Sequence, residues 1–162
     1  MKNRALYMNG KLNLAFKELD IPKPQPGEVL LKVGYCGVCG SDVHFYESGC
    51  IGATPIKGDL ILGHEAAGTV EAVGEGVTNV KVGDRVVLEP GIGCGHCEYC
   101  KSGRYNLCPD MQFISCPPYQ GAMRNYITHP AHLVYPLPEY VSTLEGALIE
   151  PLCVGMHAAN LG

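Results

Sequence analysis

The sequence lacks the features that mark several common classes of protein. It has no tryptophan, only 17% of its residues are charged, and its 12 Lys and Arg against 16 Asp and Glu give a formal net charge of −4. Nucleic-acid binding favours a basic stripe with aromatic side chains, and a membrane-spanning helix needs about 18 consecutive apolar residues. Neither pattern is present, and the first residues contain no apolar signal-peptide core. We therefore expect a cytoplasmic protein with no nucleic-acid partner and no membrane span.

Glycine and proline, in contrast, are abundant, with 21 and 12 residues. Short apolar or alternating segments recur between clusters of Gly, Pro, Asn and Asp, which is typical of many short strands joined by turns. The predicted strands lie near residues 4–8, 12–16, 29–36, 68–73, 84–89, 126–128 and 132–137. Helix is predicted only late in the chain, where Ser142 and Glu145 form a capping-box pattern and Pro151 is placed to open a second helix. The pattern predicts a mainly β fold with short C-terminal helices.

The nine cysteines are an odd number in a chain without a secretion signal, which favours metal binding or catalysis over a disulfide framework. Four of them follow the spacing C-x2-C-x2-C-x7-C in a glycine-rich loop: Cys94, Cys97, Cys100 and Cys108. Four thiolates at this spacing can close a tetrahedron around Zn²⁺, as in a structural site. Two disulfides, free thiols or an iron–sulfur cluster are alternatives, although the common bacterial cluster spacing ends in x3. We expect a structural zinc lobe at about residues 91–110.

A second candidate metal site involves Cys39 and, some twenty-five residues later, the adjacent pair His64 and Glu65. A thiolate, an imidazole and a carboxylate supply three zinc ligands and leave a fourth position for water or substrate, as a catalytic zinc requires. Adjacent residues on a regular strand point to opposite faces, so the pair can share one ion only if the backbone turns, which Gly63 permits. On spacing alone, a buried cysteine, a surface histidine and a solvated glutamate are an equally good interpretation.

The dinucleotide-binding fingerprint G-x-G-x-x-G is absent from the sequence. Gly74-x-Gly76 continues to Asn79, and Gly91-x-Gly93 continues to His96. We therefore expect no cofactor-binding residues for a nucleotide within this chain.

Several segments together resemble one family. In order, they are GVCGSDVHFYES, LGHEAAGTVEAVGEGV, VGDRVVLEP, GCGHCEYCKSGRYNLC and EGALIEPLCVGMHA. From about Ala5 to the last residue, the chain closely resembles the N-terminal catalytic domain of zinc-dependent medium-chain alcohol dehydrogenases, best of all the polyol branch of sorbitol, L-iditol and xylitol dehydrogenases. The resemblance implies a GroES-like β-barrel with the four-cysteine lobe over residues 1–150. Residues 151–162 would then start the helix that leads to a Rossmann domain carrying NAD(H) or NADP(H), so the chain is expected to be the truncated, N-terminal part of a longer enzyme.

The resemblance also implies roles for individual residues. Cys39 and His64 are expected to bind the catalytic zinc, and Glu65 to be the third ligand or a neighbour that exchanges with water. Glu150 resembles a second acidic residue at that metal, acting as a fourth ligand or hydrogen-bonding the zinc-bound water and substrate. With the four-cysteine site, this makes two zinc ions per chain. Ser41 and His44 are expected to form a proton relay. Phe45 and Tyr46 are expected to line the substrate pocket. Asp42 is expected to be a structural hydrogen-bond acceptor.

The sequence departs from the polyol enzymes at two positions. These enzymes usually carry Tyr where this chain has Phe45, and often Arg where it has Cys50. Both differences remove donors that could bond to polyol oxygens.

The expected activity of the full-length protein is reversible oxidation of a secondary alcohol, such as the polyol sorbitol, to a ketone, with this chain inactive alone. Alternative dehydrogenase substrates are 2,3-butanediol, threonine and simple alcohols. In a different class, the chain would be a non-catalytic zinc-binding module, in which Cys39, His64, Glu65 and Glu150 have no reason to converge. The expected partners are a small-molecule alcohol and further copies of the full-length protein, as a homodimer or homotetramer.

Overall fold

The computed structural model describes residues 2–162, in which strands hold 32% of the chain and helices 23%. The twelve strands are β1 (Asn3–Met8), β2 (Leu14–Leu19), β3 (Glu28–Cys36), β4 (Cys50–Ile51), β5 (Thr54–Pro55), β6 (Leu60–Ile61), β7 (Ala66–Val73), β8 (Arg85–Leu88), β9 (Gly91–Ile92), β10 (Gln112–Phe113), β11 (Tyr126–Pro130) and β12 (Val134–Pro136). The α-helices are α1 (Gly40–Ser48), α2 (Glu98–Lys101), α3 (Thr143–Ala147) and α4 (Ile149–Leu161), and the rest of the helical share is two 3₁₀ helices, Tyr105–Leu107 and Ala131–Leu133. The predicted mainly β fold is confirmed, and no helix within residues 2–162 has the length and apolar character to cross a bilayer.

The main sheet is antiparallel and has the strand order β11-β3-β7-β8-β12. Its inner face carries the largest core cluster, in which Val29, Leu31, Val70, Val86 and Ile127 are all at most 2% exposed. Burial of β-branched and leucine side chains on this face stabilises the sheet by about 1.5–3 kcal/mol for each fully buried residue. This rigid sheet positions the loops that carry the candidate site.

A second sheet, with the order β2-β1-β6, joins the main sheet through residues 122–125. The N–H of Leu6 donates to the carbonyl oxygen of Met123 at 2.9 Å, and the N–H of Val33 donates to the carbonyl oxygen of Asn125 at 2.9 Å. One segment therefore bonds to both sheets, and it closes the gap between them. The side chain of Asn3 adds two hydrogen bonds to the backbone of Tyr126, each of 2.9 Å.

Helix α1 is a difference from the sequence prediction, which placed helix only late in the chain. Its buried residues are Asp42 and Phe45, so it carries no apolar stripe that the sequence could reveal. Its N-terminus is capped instead by polar bonding, since the Asp42 carboxylate accepts a hydrogen bond from the N–H of Cys39 at 3.0 Å.

The C-terminal helices follow the prediction with one correction. The capping box at α3 is confirmed, because Ser142 Oγ accepts from the N–H of Glu145 at 3.2 Å and the Glu145 carboxylate accepts from the N–H of Ser142 at 2.7 Å. Helix α4 begins at Ile149, two residues before Pro151. Proline is tolerated there because N–H groups in the first turn have no intrahelical acceptor.

Candidate metal centres and substrate cavity

The four cysteines of the lobe converge on one point. The Sγ atoms of Cys94, Cys97, Cys100 and Cys108 all lie within 4.8 Å of one another. Cys94 Sγ and Cys100 Sγ are 3.9 Å apart, far beyond a disulfide bond, and all nine cysteines are free thiols. The disulfide alternative is therefore wrong for this structure.

Backbone N–H groups of the lobe point at these sulfur atoms. The N–H of Cys97 donates to Cys94 Sγ, the N–H of Cys94 to Cys108 Sγ and the N–H of Cys100 to Cys97 Sγ, each at 3.4 Å. Hydrogen bonds from the backbone of His96 and Cys97 lower the pKa of the Cys94 thiol to about 6. Burial raises the pKa of the Cys100 thiol to about 12, so the thiolate is favoured at Cys94 in particular. The convergence of four sulfur atoms on one point fits a closed, structural zinc site.

The second cluster lies between the N-terminus of α1 and the start of β7. The ligand atoms of Cys39, His64 and Glu65 lie within 4.8 Å of one another, and both His64 and Glu65 are buried. Gly63 makes the turn that the sequence required, with a φ of +90°. A Cβ at Gly63 would lie 2.6 Å from Cys36 Sγ, so only glycine fits this position. The adjacent side chains of His64 and Glu65 therefore reach the same point.

These residues fit a metal ion. His64 Nδ1 is buried and has no hydrogen-bond partner among residues 2–162. Bringing a thiol, an imidazole and a carboxylate together away from water is unfavourable unless a cation compensates them. Nearby Cys36 is a poor ligand in comparison, because burial, with Asp42 and Glu65 close by, raises the pKa of its thiol to about 12.

Asp42 organises this cluster, as the structural acceptor that the sequence predicts. Its buried carboxylate accepts hydrogen bonds from the N–H of Cys39 at 3.0 Å, the N–H of Gly63 at 3.1 Å and Ser115 Oγ at 3.2 Å. It therefore ties the backbone beside Cys39 to the backbone beside His64.

A cavity of about 310 Å³ opens beside His64. Its lining comprises three large apolar side chains and several small polar ones: Ser41, Phe45, Ile51, Thr54, His64, Phe113, Ser115 and Cys116. The Phe113 ring contacts the His64 ring edge-on, with centroids 5.2 Å apart. Mostly apolar walls with a few hydroxyl and thiol groups suit a small, partly polar molecule.

The structure separates the residues that the resemblance assigned to the substrate pocket and proton relay. Ser41 and Phe45, one helical turn apart on α1, both line the cavity. Tyr46 does not line the cavity, and it packs against the core cluster of Met8, Phe45, Leu60 and Leu62. His44, three positions after Ser41 on α1, is exposed.

Glu150 lies in the first turn of α4, half-buried, and is not one of the three residues whose ligand atoms converge. Burial raises the pKa of Glu150, while His64 lowers it and Glu65 raises it further. Glu150 therefore lies close enough to His64 and Glu65 to interact with them electrostatically. Cys50, in β4, is half-buried and does not line the cavity.

Sequence reasoning missed the part of the cavity wall at residues 113–116. This segment follows the cysteine lobe and is returned to the site because β10 pairs with β9. Two-residue strands leave no periodic signal, so no pattern in the sequence could have found it.

A mainly β domain that joins a four-cysteine lobe to a Cys, His and Glu cluster is typical of zinc-type alcohol dehydrogenases. The family model "Alcohol dehydrogenase GroES-like domain" matches residues 25–139, and the chain belongs to this family. The chain is 49% identical over 163 residues to the uncharacterized zinc-type alcohol dehydrogenase-like protein YdjJ of Escherichia coli K12. This match covers 99% of this chain and 47% of YdjJ. The chain is 48% identical over 156 residues to sorbitol dehydrogenase of Bacillus subtilis, and this match covers 96% of this chain and 44% of that enzyme.

Solved structures agree with this assignment. An Escherichia coli oxidoreductase of unknown specificity superposes with a TM-score of 0.94 at 48% identity, over 99% of this chain and 47% of that one. An Escherichia coli alcohol dehydrogenase complexed with NADH superposes with a TM-score of 0.90 at 32% identity, over 99% of this chain and 46% of that one. The 2R,3R-butanediol dehydrogenase of Bacillus subtilis superposes with a TM-score of 0.85 at 36% identity, over 98% of this chain and 47% of that one. This chain thus spans about half the length of the relatives it matches.

Proposed function

We propose that residues 1–150 form the catalytic domain of a zinc-dependent, NAD(P)-linked dehydrogenase that oxidises a secondary alcohol, a polyol such as sorbitol, to a ketone. The observation that carries this proposal is the convergence of Cys39, His64 and Glu65 beside a cavity of substrate size. The polyol class is supported by the 48% identity to a sorbitol dehydrogenase. Residues 151–162 would lead to a second domain that holds the nicotinamide cofactor, and the whole enzyme would be a cytoplasmic homodimer or homotetramer.

Within this proposal the chain holds two zinc ions. Cys39, His64 and Glu65 would bind the catalytic ion, with Glu150 as a further acidic group beside it. The four cysteines of the lobe would bind the structural ion. Zinc at the first site would act as a Lewis acid, lowering the pKa of a substrate hydroxyl.

The chain's own residues would then move the proton and shape the pocket. The Ser41 hydroxyl lines the cavity and would accept the alcohol proton as it passes its own to His44. His44 lies three positions further along α1, on the same helical side, and its exposed imidazole would release the proton to water. Phe45 and Phe113 would exclude water from the reacting carbon, and a nicotinamide held by the second domain would supply the hydride acceptor.

Zinc counting tests the metal proposal without requiring activity. We expect two zinc ions per purified chain, falling to one in a Cys39→Ser variant. Cys50→Ser is the matched control, because Cys50 is half-buried but belongs to neither cluster, and it should retain both ions. One ion in the wild type, unchanged in the Cys39 variant, would favour the non-catalytic zinc module.

A second candidate substrate class is the simple diol 2,3-butanediol. The observation that favours it is the apolar lining of the cavity by Phe45, Ile51 and Phe113, which offers few partners for a long polyol. The full-length enzyme should be assayed on sorbitol, xylitol, 2,3-butanediol and threonine with NAD and with NADP. The highest kcat/KM decides between the two classes.

A further inference from the structure

A second cavity, of about 380 Å³, shares no lining residue with the cavity beside His64. It lies along the seam where β1 meets residues 122–125, and both Arg4 and Arg124 line it. None of its lining residues is acidic. The proposed dehydrogenase chemistry does not use it.

The four arginines of the chain differ in whether their side chains form hydrogen bonds with other residues. Arg85 donates to backbone carbonyl oxygens and Arg104 donates to the hydroxyl of Ser102. Arg4 and Arg124, in contrast, make no side-chain hydrogen bond and no ion pair with any residue in the range 2–162. The two arginines without a polar partner are the two that share this cavity.

Arg124 is fixed in place by its neighbours. Its backbone forms an antiparallel bridge with Ala5, and the N–H of Asn125 donates to the carbonyl oxygen of Arg4 at 3.0 Å. Its Nε is buried, and nothing in the described chain accepts a hydrogen bond from it. Since arginine stays charged in proteins, a half-buried guanidinium whose Nε–H has no acceptor is unfavourable, and an anion from solution would satisfy it.

Arg4, an exposed residue, also lines this cavity. Its guanidinium carbon lies 3.9 Å from the centroid of the Phe16 ring, so the group is stacked and its N–H edge remains available. Glu18 lies opposite Arg4 in the pairing of β1 with β2 but forms no ion pair with it and does not line the cavity. Two positive groups thus face one space in a chain whose net charge is −4.

We propose that this cavity is a binding site for a phosphate group, held between the guanidinium groups of Arg4 and Arg124. Guanidinium presents its N–H donors in a planar fork that matches two oxygens of a phosphate. At about 30 Å³ per water molecule the cavity has room for about a dozen waters, more than the five heavy atoms of phosphate displace. A phosphomonoester therefore fits as well as the free ion.

The test uses zinc-loaded chain titrated with inorganic phosphate and, separately, with glycerol 3-phosphate, against potassium chloride at matched ionic strength. The readout is the ¹H–¹⁵N cross-peaks of the arginine Nε–H groups, assigned with single variants. We expect saturable shifts of the Arg4 and Arg124 peaks, with the Arg104 peak unmoved. Arg124→Gln should weaken binding at least tenfold, while Lys57→Gln, which removes an exposed charge elsewhere, should leave it unchanged.

Two further variants keep the proposal testable if Arg124→Gln does not fold. Arg124→Lys keeps the charge but loses the fork and should still weaken binding several-fold, as should Arg4→Gln. Binding of glycerol 3-phosphate alone would support the site and identify the source as a phosphomonoester. Equal shifts with chloride, equal affinity in the Arg4 and Arg124 variants, or no saturable shift with either probe would overturn the proposal.

Discussion

Gly37 lies directly against the side chain of Glu65. A Cβ added at Gly37 would lie 2.1 Å from Glu65 Oε2, and the N–H of Gly37 donates to the Glu65 carbonyl oxygen at 2.8 Å. The absence of a side chain at one position therefore makes room for a carboxylate of the candidate metal cluster. Gly37 opens the sequence motif that contains Cys39, but the motif gives it no role, whereas the structure shows that it limits where Glu65 can point.

Gly37→Ala should displace the Glu65 carboxylate and reduce zinc from two ions to one per chain, because the methyl group and the carboxylate cannot occupy the same space. Elemental analysis measures this directly. Gly40→Ala is the matched control, since an added methyl there meets nothing within 4 Å. Full zinc content in the Gly37 variant would mean that Glu65 is not needed to hold the metal.

Asp42→Asn should lower both stability and zinc content. The carboxylate accepts three hydrogen bonds, from Cys39, Gly63 and Ser115, whereas an amide has one acceptor oxygen and adds an unmatched N–H₂ group. We expect a loss of about 2–4 kcal/mol in the free energy of unfolding by urea, because buried bonds to a charged group are among the strong ones. Asp20→Asn, which breaks an exposed ion pair with Lys2, should change the free energy of unfolding by less than about 0.5 kcal/mol. A change of the same size in both variants would show that Asp42 does not organise the cluster.

The stability of the chain should decrease in mild acid through His129. This residue is 1% exposed, and burial lowers its pKa to about 4 from an ordinary value of about 6.5. Below pH 6.5 the unfolded chain takes up a proton at this residue that the folded chain does not. Stability is therefore fully present above pH 6.5 and is lost as the pH falls towards 4, by at most about 1.4 kcal/mol per pH unit.

Urea unfolding from pH 7.5 to 5 measures this slope. His129→Gln should flatten the pH dependence even if it lowers stability at every pH, because it removes the titrating group. His157→Gln, at an exposed position on α4, should leave the slope as in the wild type. Parallel slopes in the wild type and the His129 variant would place the acid sensitivity elsewhere, for example in metal release.

Sequence reasoning reached the parts of this fold that have a local physical signature. The four lobe cysteines were predicted from spacing because all four lie within one short, glycine-rich loop, and the α3 capping box because its two partners are three residues apart. Helix α1 was missed because it buries only Asp42 and Phe45 and is held by polar bonds to residues distant in sequence. Gly37, residues 113–116 and the Arg4–Arg124 cavity depend on contacts between segments far apart in the chain, which no window of sequence contains.

Removal of metal should loosen the lobe before the β domain. The N–H groups of Cys94, Cys97 and Cys100 donate to sulfur rather than to carbonyl oxygen, so they are held only while the four thiols stay together. Without zinc the thiolates repel one another, and the binding free energy that orders the loop, on the order of 10 kcal/mol, is lost. After treatment with a chelator, hydrogen exchange should therefore accelerate at these three amides, while the amides of Leu31 and Val70 in the main sheet remain protected. Uniform acceleration across lobe and sheet would contradict this order and would mean that the lobe and the β domain unfold as one unit.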